Sequence, residues 1–175
     1  MVFILGGARS GKSSHALKLT SVHNGKKAFI ATAQPLDEEM RTRIDAHKRQ
    51  RPDVWDTFEE PLRLSETIAR LGDSYDVILV DCLTLWLTNI FTAEPFPEIE
   101  AATKEIDGFT SNLNKLKTHR DTYLYLVSNE VGMSIVPENK LARVFRDAAG
   151  SLNQQVAALA DEVYLVVSGL PVKLK

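Results

Sequence analysis

Short apolar runs alternate with longer amphipathic stretches along the whole chain. The apolar runs are rich in β-branched residues and predict strands at 2–5, 28–31, 77–80, 123–127 and 163–167. The stretches between them predict helices at about 12–22, 36–51, 62–71, 83–91, 98–117 and 139–160. Strands that are apolar on both faces and separated by helices indicate an α/β fold, a mostly parallel sheet with helices on both faces.

Length and composition narrow the class of protein. A chain of 175 residues is long enough for one domain, 1–175, with a full core behind the sheet. Twenty-one basic against 23 acidic residues give a net charge of −2, which argues against a nucleic-acid surface and favours a small-molecule partner. The two prolines of segment 92–97 predict an exposed loop.

The single cysteine and the hydropathy of the chain indicate the cellular compartment in which we expect the protein. The single cysteine, Cys82, excludes an internal disulfide, and its apolar neighbours predict a buried thiol. No run of eighteen apolar residues is present, so no membrane span is expected. The apolar run at the N-terminus is too short for a signal peptide, and we therefore expect a cytoplasmic, reducing location.

The first strand leads directly into a glycine-rich loop with the spacing G-x-x-x-x-G-K-S. This spacing is typical of a phosphate-binding loop, in which backbone N–H groups converge on phosphate oxygens. Lys12 would reach the β- and γ-phosphates, and the hydroxyl of Ser13 would bind Mg²⁺. The predicted nucleotide contacts are Gly6, Gly7, Ala8, Arg9, Ser10, Gly11, Lys12 and Ser13.

An aspartate follows the apolar strand at 77–80. At the carboxyl edge of a parallel sheet, Asp81 would lie beside the phosphate loop and bind Mg²⁺ together with Ser13. In the alternative interpretation Asp81 does not bind a metal and caps the helix that follows, as aspartate often does.

A basic segment at 40–52 forms a second constellation. In a helix, Arg43, His47 and Arg51 lie four residues apart and share one face, where these three potential cations could grip a polyphosphate and the two guanidinium groups would disfavour protonation of His47. A neutral imidazole beside a bound triphosphate is a competent nucleophile toward phosphorus. The alternative is a solvated basic face without a special role.

Two further patterns have both a functional and a structural interpretation, and a third has a structural interpretation alone. Glu59 could recognise a base or ribose, or Glu59 and Glu60 could begin the next helix. Segment 128–132 follows a buried strand, where open α/β sheets bind ligands, but an ordinary turn would look the same. Arg143 and Asp147 are spaced for a surface salt bridge on a helix.

Taken together, these blocks resemble one enzyme family. The blocks are G-G-A-R-S-G-K-S, R-I-x-x-H, R-P-x-x-W, E-E-P, V-D-C-L-T-L-W-L-T-N, S-N-E-V-G and A-R-x-F-R-D-A-A-G-x-L-N-Q. In order and spacing they are similar to the bifunctional adenosylcobinamide kinase/adenosylcobinamide-phosphate guanylyltransferases of cobalamin biosynthesis. The resemblance spans residues 3–171, and Lys48 and Ser134 stand where the family often has arginine and glycine.

This resemblance implies a P-loop enzyme with two activities. It would phosphorylate adenosylcobinamide with ATP or GTP, and then transfer GMP from GTP to that phosphate through a guanylylated histidine, here His47. The resemblance also implies a homotrimer. Of the two catalytic residues that we expect, His47 follows from the resemblance, and Lys12 follows from the chemistry of the phosphate loop. The nucleotide contacts that the resemblance implies, beyond the loop, are Ala31, Thr32, Ala33, Lys48, Arg49, Gln50, Arg51, Glu59 and Asp81.

Two other functions fit the same residues. A small-molecule P-loop kinase without guanylyl transfer would use His47 only to bind phosphate. A non-catalytic, nucleotide-responsive binding module would use the loop without transferring any group. Only the bifunctional enzyme would take up GMP covalently.

Overall fold

A computed structural model describes residues 1–93, 99–119 and 122–175 of the chain. Strands and helices alternate along these ranges. In chain order they are β1 (Val2–Gly6), α1 (Lys12–Thr20), β2 (Lys27–Ala31), α2 (Glu38–Gln50), β3 (Trp55–Glu59), α3 (Leu64–Leu71), β4 (Val77–Asp81), α4 (Leu83–Thr92), α5 (Ile99–His119), β5 (Tyr123–Asn129), α6 (Lys140–Leu159), β6 (Glu162–Val167) and β7 (Leu170–Lys173).

The strands described form one sheet in the order β3-β2-β4-β5-β1-β6-β7. All neighbouring pairs are parallel except β6 and β7, which form an antiparallel hairpin. The predicted α/β class with a mostly parallel sheet is therefore confirmed. Parallel pairing follows from the helices between the strands, because each crossover returns the chain to the same end of the sheet.

Helices cover the two faces of the sheet unequally. On one face, α3 to α6 bury a large core, in which Trp86, Phe109, Leu113 and Leu152 pack on the sheet. On the other face, Ala16 of α1 packs in a smaller cluster of sheet residues. None of the helices that the structure describes is long and apolar enough to span a lipid bilayer.

The six predicted helices are all present, but the sequence pattern did not predict two of the strands, β3 and β7. In β3, two consecutive polar residues, Asp56 and Thr57, separate Trp55 from Phe58, and the strand pairs only with β2 at the edge of the sheet. The four residues of β7 are all exposed. A search for continuous apolar runs detects strands that are buried on both faces and misses such edge strands.

Two local predictions were wrong. Glu59 and Glu60 do not begin a helix, because Glu59 ends β3, and Glu60 instead accepts hydrogen bonds from the backbone N–H groups of Leu62 and Arg63, ahead of α3. Arg143 does not pair with Asp147, since its guanidinium donates to the carbonyls of Pro137 and Glu138. The partner of Asp147 is its neighbour Arg146, at 3.0 Å.

The predicted loop at 92–97 falls mostly outside the described residues. Thr92 ends α4, and residues 94–97 are not among those that the structure describes.

Strand register brings the ends of five strands together. Ala31 of β2 is level with Glu59 of β3 on one side and with Asp81 of β4 on the other. Gly6 of β1 is level with Asn129 of β5. This carboxyl edge is where open α/β sheets bind ligands.

Candidate functional site

The phosphate loop connects β1 to α1 at the carboxyl edge. A Cβ atom at Gly6 would collide with Ser10 and with the carbonyl of Val166, so the chain can turn here only with glycine. Gly11 has a φ of 95°, and Arg9 also lies in the left-handed region at 57°. The backbone N–H of Ser10 donates to the carbonyl of Gly7 at 3.2 Å, which closes the loop on itself.

Lys12 points back into this loop. Its side chain is buried, and the ammonium donates to the carbonyl of Gly7 at 3.0 Å. Burial lowers the pKa of Lys12, an effect that the nearby Cys82 and Asp81 oppose. When a phosphate binds, the partly desolvated ammonium of Lys12 would leave the neutral carbonyl of Gly7 and donate to a charged phosphate oxygen instead. Such a charge-assisted hydrogen bond is the stronger of the two.

The β6–β7 hairpin supports the loop from behind. The backbone N–H of Gly169 donates to the carbonyl of Ser10 at 2.8 Å. A Cβ atom at Gly11 would lie 3.2 Å from the Cα atom of Gly169, so the two backbones are in close contact. Two distant parts of the chain thus hold the loop in one conformation.

Asp81 ends β4 and lines the same cavity as Lys12 and Ser13. It does not cap α4, because the residue that precedes this helix is Cys82. The thiol of Cys82 is buried as expected, and burial raises its pKa to about 12. Cys82 is therefore a structural residue and not a nucleophile.

Helix α2 carries the basic constellation. The Asp37 side chain caps its first turn by accepting from the backbone N–H of Met40 at 2.7 Å. Arg43 and His47 lie one turn apart on this helix, as predicted. The prediction that Arg51 continues the same stack is wrong, because Arg51 is the C-cap residue with an extended backbone.

Arg51 turns toward the sheet instead. Its guanidinium lies 3.4 Å from the centre of the Phe29 ring and donates to the hydroxyl of Thr57. The Nε atom of Arg51 is buried and has no hydrogen-bond partner among the described residues. Nearby, Lys48 of α2 pairs with Glu59 of β3 at 2.8 Å. These contacts connect the end of α2 to β2 and β3.

Two cavities meet at His47. The first, of about 480 Å³, lies between α2 and the ends of β2, β3 and β4, and combines apolar side chains such as Phe29 and Ile44 with the charged Glu59 and Arg51. The second, of about 820 Å³, lies between α2 and the phosphate loop. Four residues line both: Lys12, Ser13, Arg43 and His47.

Most of the predicted site residues line one or both cavities. They are Ala8, Arg9, Ser10, Gly11, Lys12, Ser13, Ala31, Ala33, His47, Lys48, Arg51, Glu59 and Asp81. Gly6 is buried where the loop begins, Gly7 is exposed and its carbonyl accepts from Ser10 and Lys12, and Arg49 is exposed on α2. Gln50 ends α2, and its side chain lies outside what the structure describes.

Thr32 has a structural position beside the first cavity. It is fully buried, and its hydroxyl exchanges two hydrogen bonds with the backbone of Cys82, at 2.7 and 2.9 Å. Asn89 donates to its carbonyl. Thr32 thus holds the ends of β2 and β4 together.

Sequence reasoning missed the apolar wall of the first cavity. Phe29, Ile44 and Leu85 come from a strand and two helices that are far apart in the chain. Asn129, at the end of β5, also lines this cavity, which favours the ligand-edge interpretation of segment 128–132 over a plain turn. Phe29 could have been predicted from Ala31, an expected nucleotide contact. Residues 29 and 31 of a strand point to the same face, so Phe29 should line the same cavity as Ala31.

Comparison with known proteins decides the family. Residues 2–174 match the family model described as cobinamide kinase / cobinamide phosphate guanyltransferase. The chain belongs to this family. Its enzymes are bifunctional, and the protein is accordingly a cobinamide kinase and cobinamide phosphate guanylyltransferase of cobalamin biosynthesis.

Three relatives extend this result over the full chain. The bifunctional adenosylcobalamin biosynthesis protein CobU of Escherichia coli is 42% identical, and that of Salmonella typhimurium is 45% identical; each alignment covers 100% of this chain and 99% of the relative. CobP of Pseudomonas aeruginosa is 41% identical over 98% of this chain and 95% of its own length.

Solved structures with little sequence similarity share the fold. The RadB recombinase superposes with a TM-score of 0.50 at 14% identity, covering 94% of this chain and 72% of its own. The Pyrococcus horikoshii protein PH0250 superposes with a TM-score of 0.53 at 10% identity, covering 100% and 85%. These matches support the α/β fold with a mostly parallel sheet.

Proposed function

We propose that His47 is the nucleophile that takes up GMP, and that the phosphate loop serves both activities of the enzyme. The observation that carries this assignment is the position of His47, which lines the cavity of the phosphate loop and the adjoining cavity together with Lys12, Ser13 and Arg43. An imidazole in this position has a triphosphate site on one side and a pocket of nucleoside size on the other.

For guanylylation, the guanosine of GTP occupies the 480 Å³ cavity and its β- and γ-phosphates occupy the loop. Phe29 and Ile44 supply apolar contacts for the base, and Glu59 supplies a hydrogen-bond acceptor. The α-phosphorus then faces His47, with pyrophosphate leaving toward Lys12. The ammonium of Lys12 stabilises the charge that develops on the leaving group.

For the kinase reaction, the same loop presents the γ-phosphorus of ATP or GTP to the hydroxyl of adenosylcobinamide. This reaction needs positioning and charge stabilisation but no nitrogen nucleophile. Lys12 is therefore required for both activities, and His47 for guanylyl transfer alone.

The oxygen atoms at the site fit Mg²⁺. Ser13 and Asp81 line one cavity, and Mg²⁺ binds through one or two protein oxygens together with substrate phosphates. The described residues contain no cluster of three or more His, Cys, Asp or Glu side chains that would suit a different metal. When bound, Mg²⁺ neutralises phosphate charge, and Ser13 and Asp81 are the residues that would hold it.

This metal assignment predicts the effect of Asp81→Asn. The substitution removes one negative oxygen ligand but keeps the shape of the side chain, so the Mg²⁺ concentration for half-maximal kinase rate should rise about tenfold or more. A Mg²⁺ titration of the kinase rate measures the effect, with Asp56→Asn on the edge strand β3, outside both cavities, as control. An unchanged titration curve would show that Asp81 does not contact the metal.

The test of the nucleophile is His47→Ala. Incubation with GTP and Mg²⁺ should add the mass of one GMP to the wild-type protein as an acid-labile phosphoramidate, and nothing to the variant. Guanylyl transfer should fall below detection, while phosphorylation of adenosylcobinamide continues. A GMP adduct on the variant would assign the nucleophile to another residue.

The family resemblance further suggests a homotrimer in the cytoplasm. Leu170 and Val172 of β7 are exposed at one edge of the sheet, where a second copy of the chain would cover them. Sedimentation equilibrium of the purified protein measures the number of copies directly.

A further inference from the structure

We infer that the phosphate loop also binds the phosphate of the acceptor during guanylyl transfer, in the place that pyrophosphate leaves, and that Arg9 and Arg43 hold this phosphate. This inference rests on the proposed role of His47. The loop would then bind three phosphate groups in turn: that of the nucleotide in the kinase reaction, that of GTP in guanylylation, and that of the acceptor. Arg43 gains a role in recognising the acceptor.

The argument begins with the geometry of substitution at phosphorus. In the first step a lone pair of the His47 imidazole forms the P–N bond, and the bond from the α-phosphorus to the bridging oxygen breaks, so that pyrophosphate leaves with the electron pair. Attacking and leaving atoms lie in line on opposite sides of the phosphorus. His47 and the loop therefore stand on opposite sides of the α-phosphorus.

The second step reverses these directions. An oxygen of the acceptor phosphate forms the new P–O bond while the P–N bond breaks, and the electron pair returns to the imidazole nitrogen. In-line attack opposite His47 places the acceptor phosphate on the side from which pyrophosphate departed. That side is the phosphate loop, provided that the guanosine stays in its cavity.

Side-chain contacts agree with this placement. Two cations that line the first cavity but not the second already have partners, since Lys48 pairs with Glu59 and Arg51 stacks on Phe29. Arg9 and Arg43 are exposed, and within the part of the chain that the structure describes neither forms a salt bridge. Both line the second cavity.

The second cavity has room for the acceptor phosphate and the part of the acceptor next to it. Its volume of about 820 Å³ exceeds that of the first cavity, and it opens between α2 and the loop, with His47 on its wall. The loop itself is a preformed anion site, because Arg9 and Gly11 hold positive φ angles and Lys12 is buried at its centre. One carboxylate, Glu39, lies in the same cavity.

The loop binds the β- and γ-phosphates of GTP, so its role in binding the acceptor must be measured with a GMP donor that lacks these two phosphates. His47→Gly removes the imidazole, and guanosine 5′-phosphorimidazolide supplies a GMP group that already carries imidazole as leaving group. Transfer from this donor to adenosylcobinamide phosphate then measures the second step alone. Lys12→Met in the His47→Gly background should slow this transfer about 100-fold, chiefly through a higher KM for the acceptor.

Lys18→Met in the same background is the control, since Lys18 is an exposed lysine on α1 outside both cavities. Arg43→Gln, a surface change on α2, should raise the KM for the acceptor about tenfold with little change in kcat. Equal rates for His47→Gly with and without Lys12→Met would overturn the inference.

A second measurement uses the wild-type enzyme. Guanylylated protein, separated from GTP by gel filtration, is discharged by adenosylcobinamide phosphate in the presence of sulfate, with chloride at matched ionic strength as control. Sulfate should inhibit discharge competitively with the acceptor. Unchanged discharge at sulfate concentrations that block labelling by GTP would overturn the inference, whereas GMP mapped to a residue other than His47 would overturn the proposed function itself.

Discussion

At the scale of single residues, the site combines groups whose roles differ according to their partners. Lys12 is buried and held by a backbone carbonyl, and Arg51 is stacked on an aromatic ring. Glu59 is exposed and paired with Lys48. A carboxylate in an exposed pair gains little from that pair, so it remains available to a ligand.

Glu59 should therefore distinguish GTP from ATP. Its carboxylate can accept from the N–H groups on the edge of guanine, whereas the ring nitrogen of adenine at that position carries no hydrogen. Glu59→Gln should weaken GTP binding about tenfold or more, by the loss of a charged hydrogen bond of roughly 1.5–3 kcal/mol, and ATP binding much less. KM values for both nucleotides in the kinase reaction provide the measurement.

Asp56→Asn is the control for this prediction. Asp56 is also an exposed acid of β3, but it points to the opposite face of the strand and accepts from the hydroxyl of Tyr75. Equal losses for GTP and ATP in Glu59→Gln would rule out recognition of the base.

At the scale of elements, α2 determines where Arg43 and His47 lie. Its few buried contacts make the helix dependent on its ends, where Asp37 caps the first turn and Glu38 and Glu39 follow. Negative charge near a helix N-terminus is favourable because it complements the helix dipole. The position of the nucleophile therefore depends on a cap that lies ten residues away in the chain.

Asp37→Ala should thus affect catalysis as well as stability. Loss of the cap costs about 1 kcal/mol of helix stability, and fraying of α2 should slow the labelling of His47 by GTP several-fold. The matched control is Asn139→Ala, which removes the corresponding cap of α6, where the Asn139 side chain accepts from the backbone N–H of Ala142.

The two variants are compared by urea unfolding and by the rate of GMP uptake. Both should lose similar stability, and only Asp37→Ala should label slowly. Slow labelling of both variants would mean that global stability, and not the cap of α2, limits the reaction.

At the scale of the whole molecule, the phosphate loop connects distant parts of the chain. β1 leads into it, the hairpin of β6 and β7 supports it through Gly169, and Asn129 of β5 lies level with its first glycine. Filling the loop should therefore stabilise the whole fold against unfolding.

Thermal unfolding should report this coupling. Nucleotide at about a hundred times its dissociation constant stabilises the folded state by about 2.7 kcal/mol, and ATP with Mg²⁺ should accordingly raise the Tm by several degrees. Lys12→Met should lose most of this increase, and Lys18→Met should keep it. A full Tm increase in Lys12→Met would show that Lys12 does not contact the nucleotide.

The sequence by itself determined the fold class, the phosphate loop and the family. Apolar runs between amphipathic helices carry their own periodicity, and the loop is contiguous, so its glycines, Lys12 and Ser13 can be recognised without knowing what surrounds them. The same holds for Asp81, because an apolar strand that ends in a carboxylate is a local pattern.

Only the tertiary structure decided which distant residues complete the site and how they contact one another. The edge strands β3 and β7 lack a continuous apolar run, since they are not buried on both faces. The stack of Arg51 on Phe29 joins residues 22 positions apart, and it exists because α2 ends before Arg51. Pairing and burial between distant segments depend on how strands are ordered in the sheet, and local sequence patterns carry no record of that order.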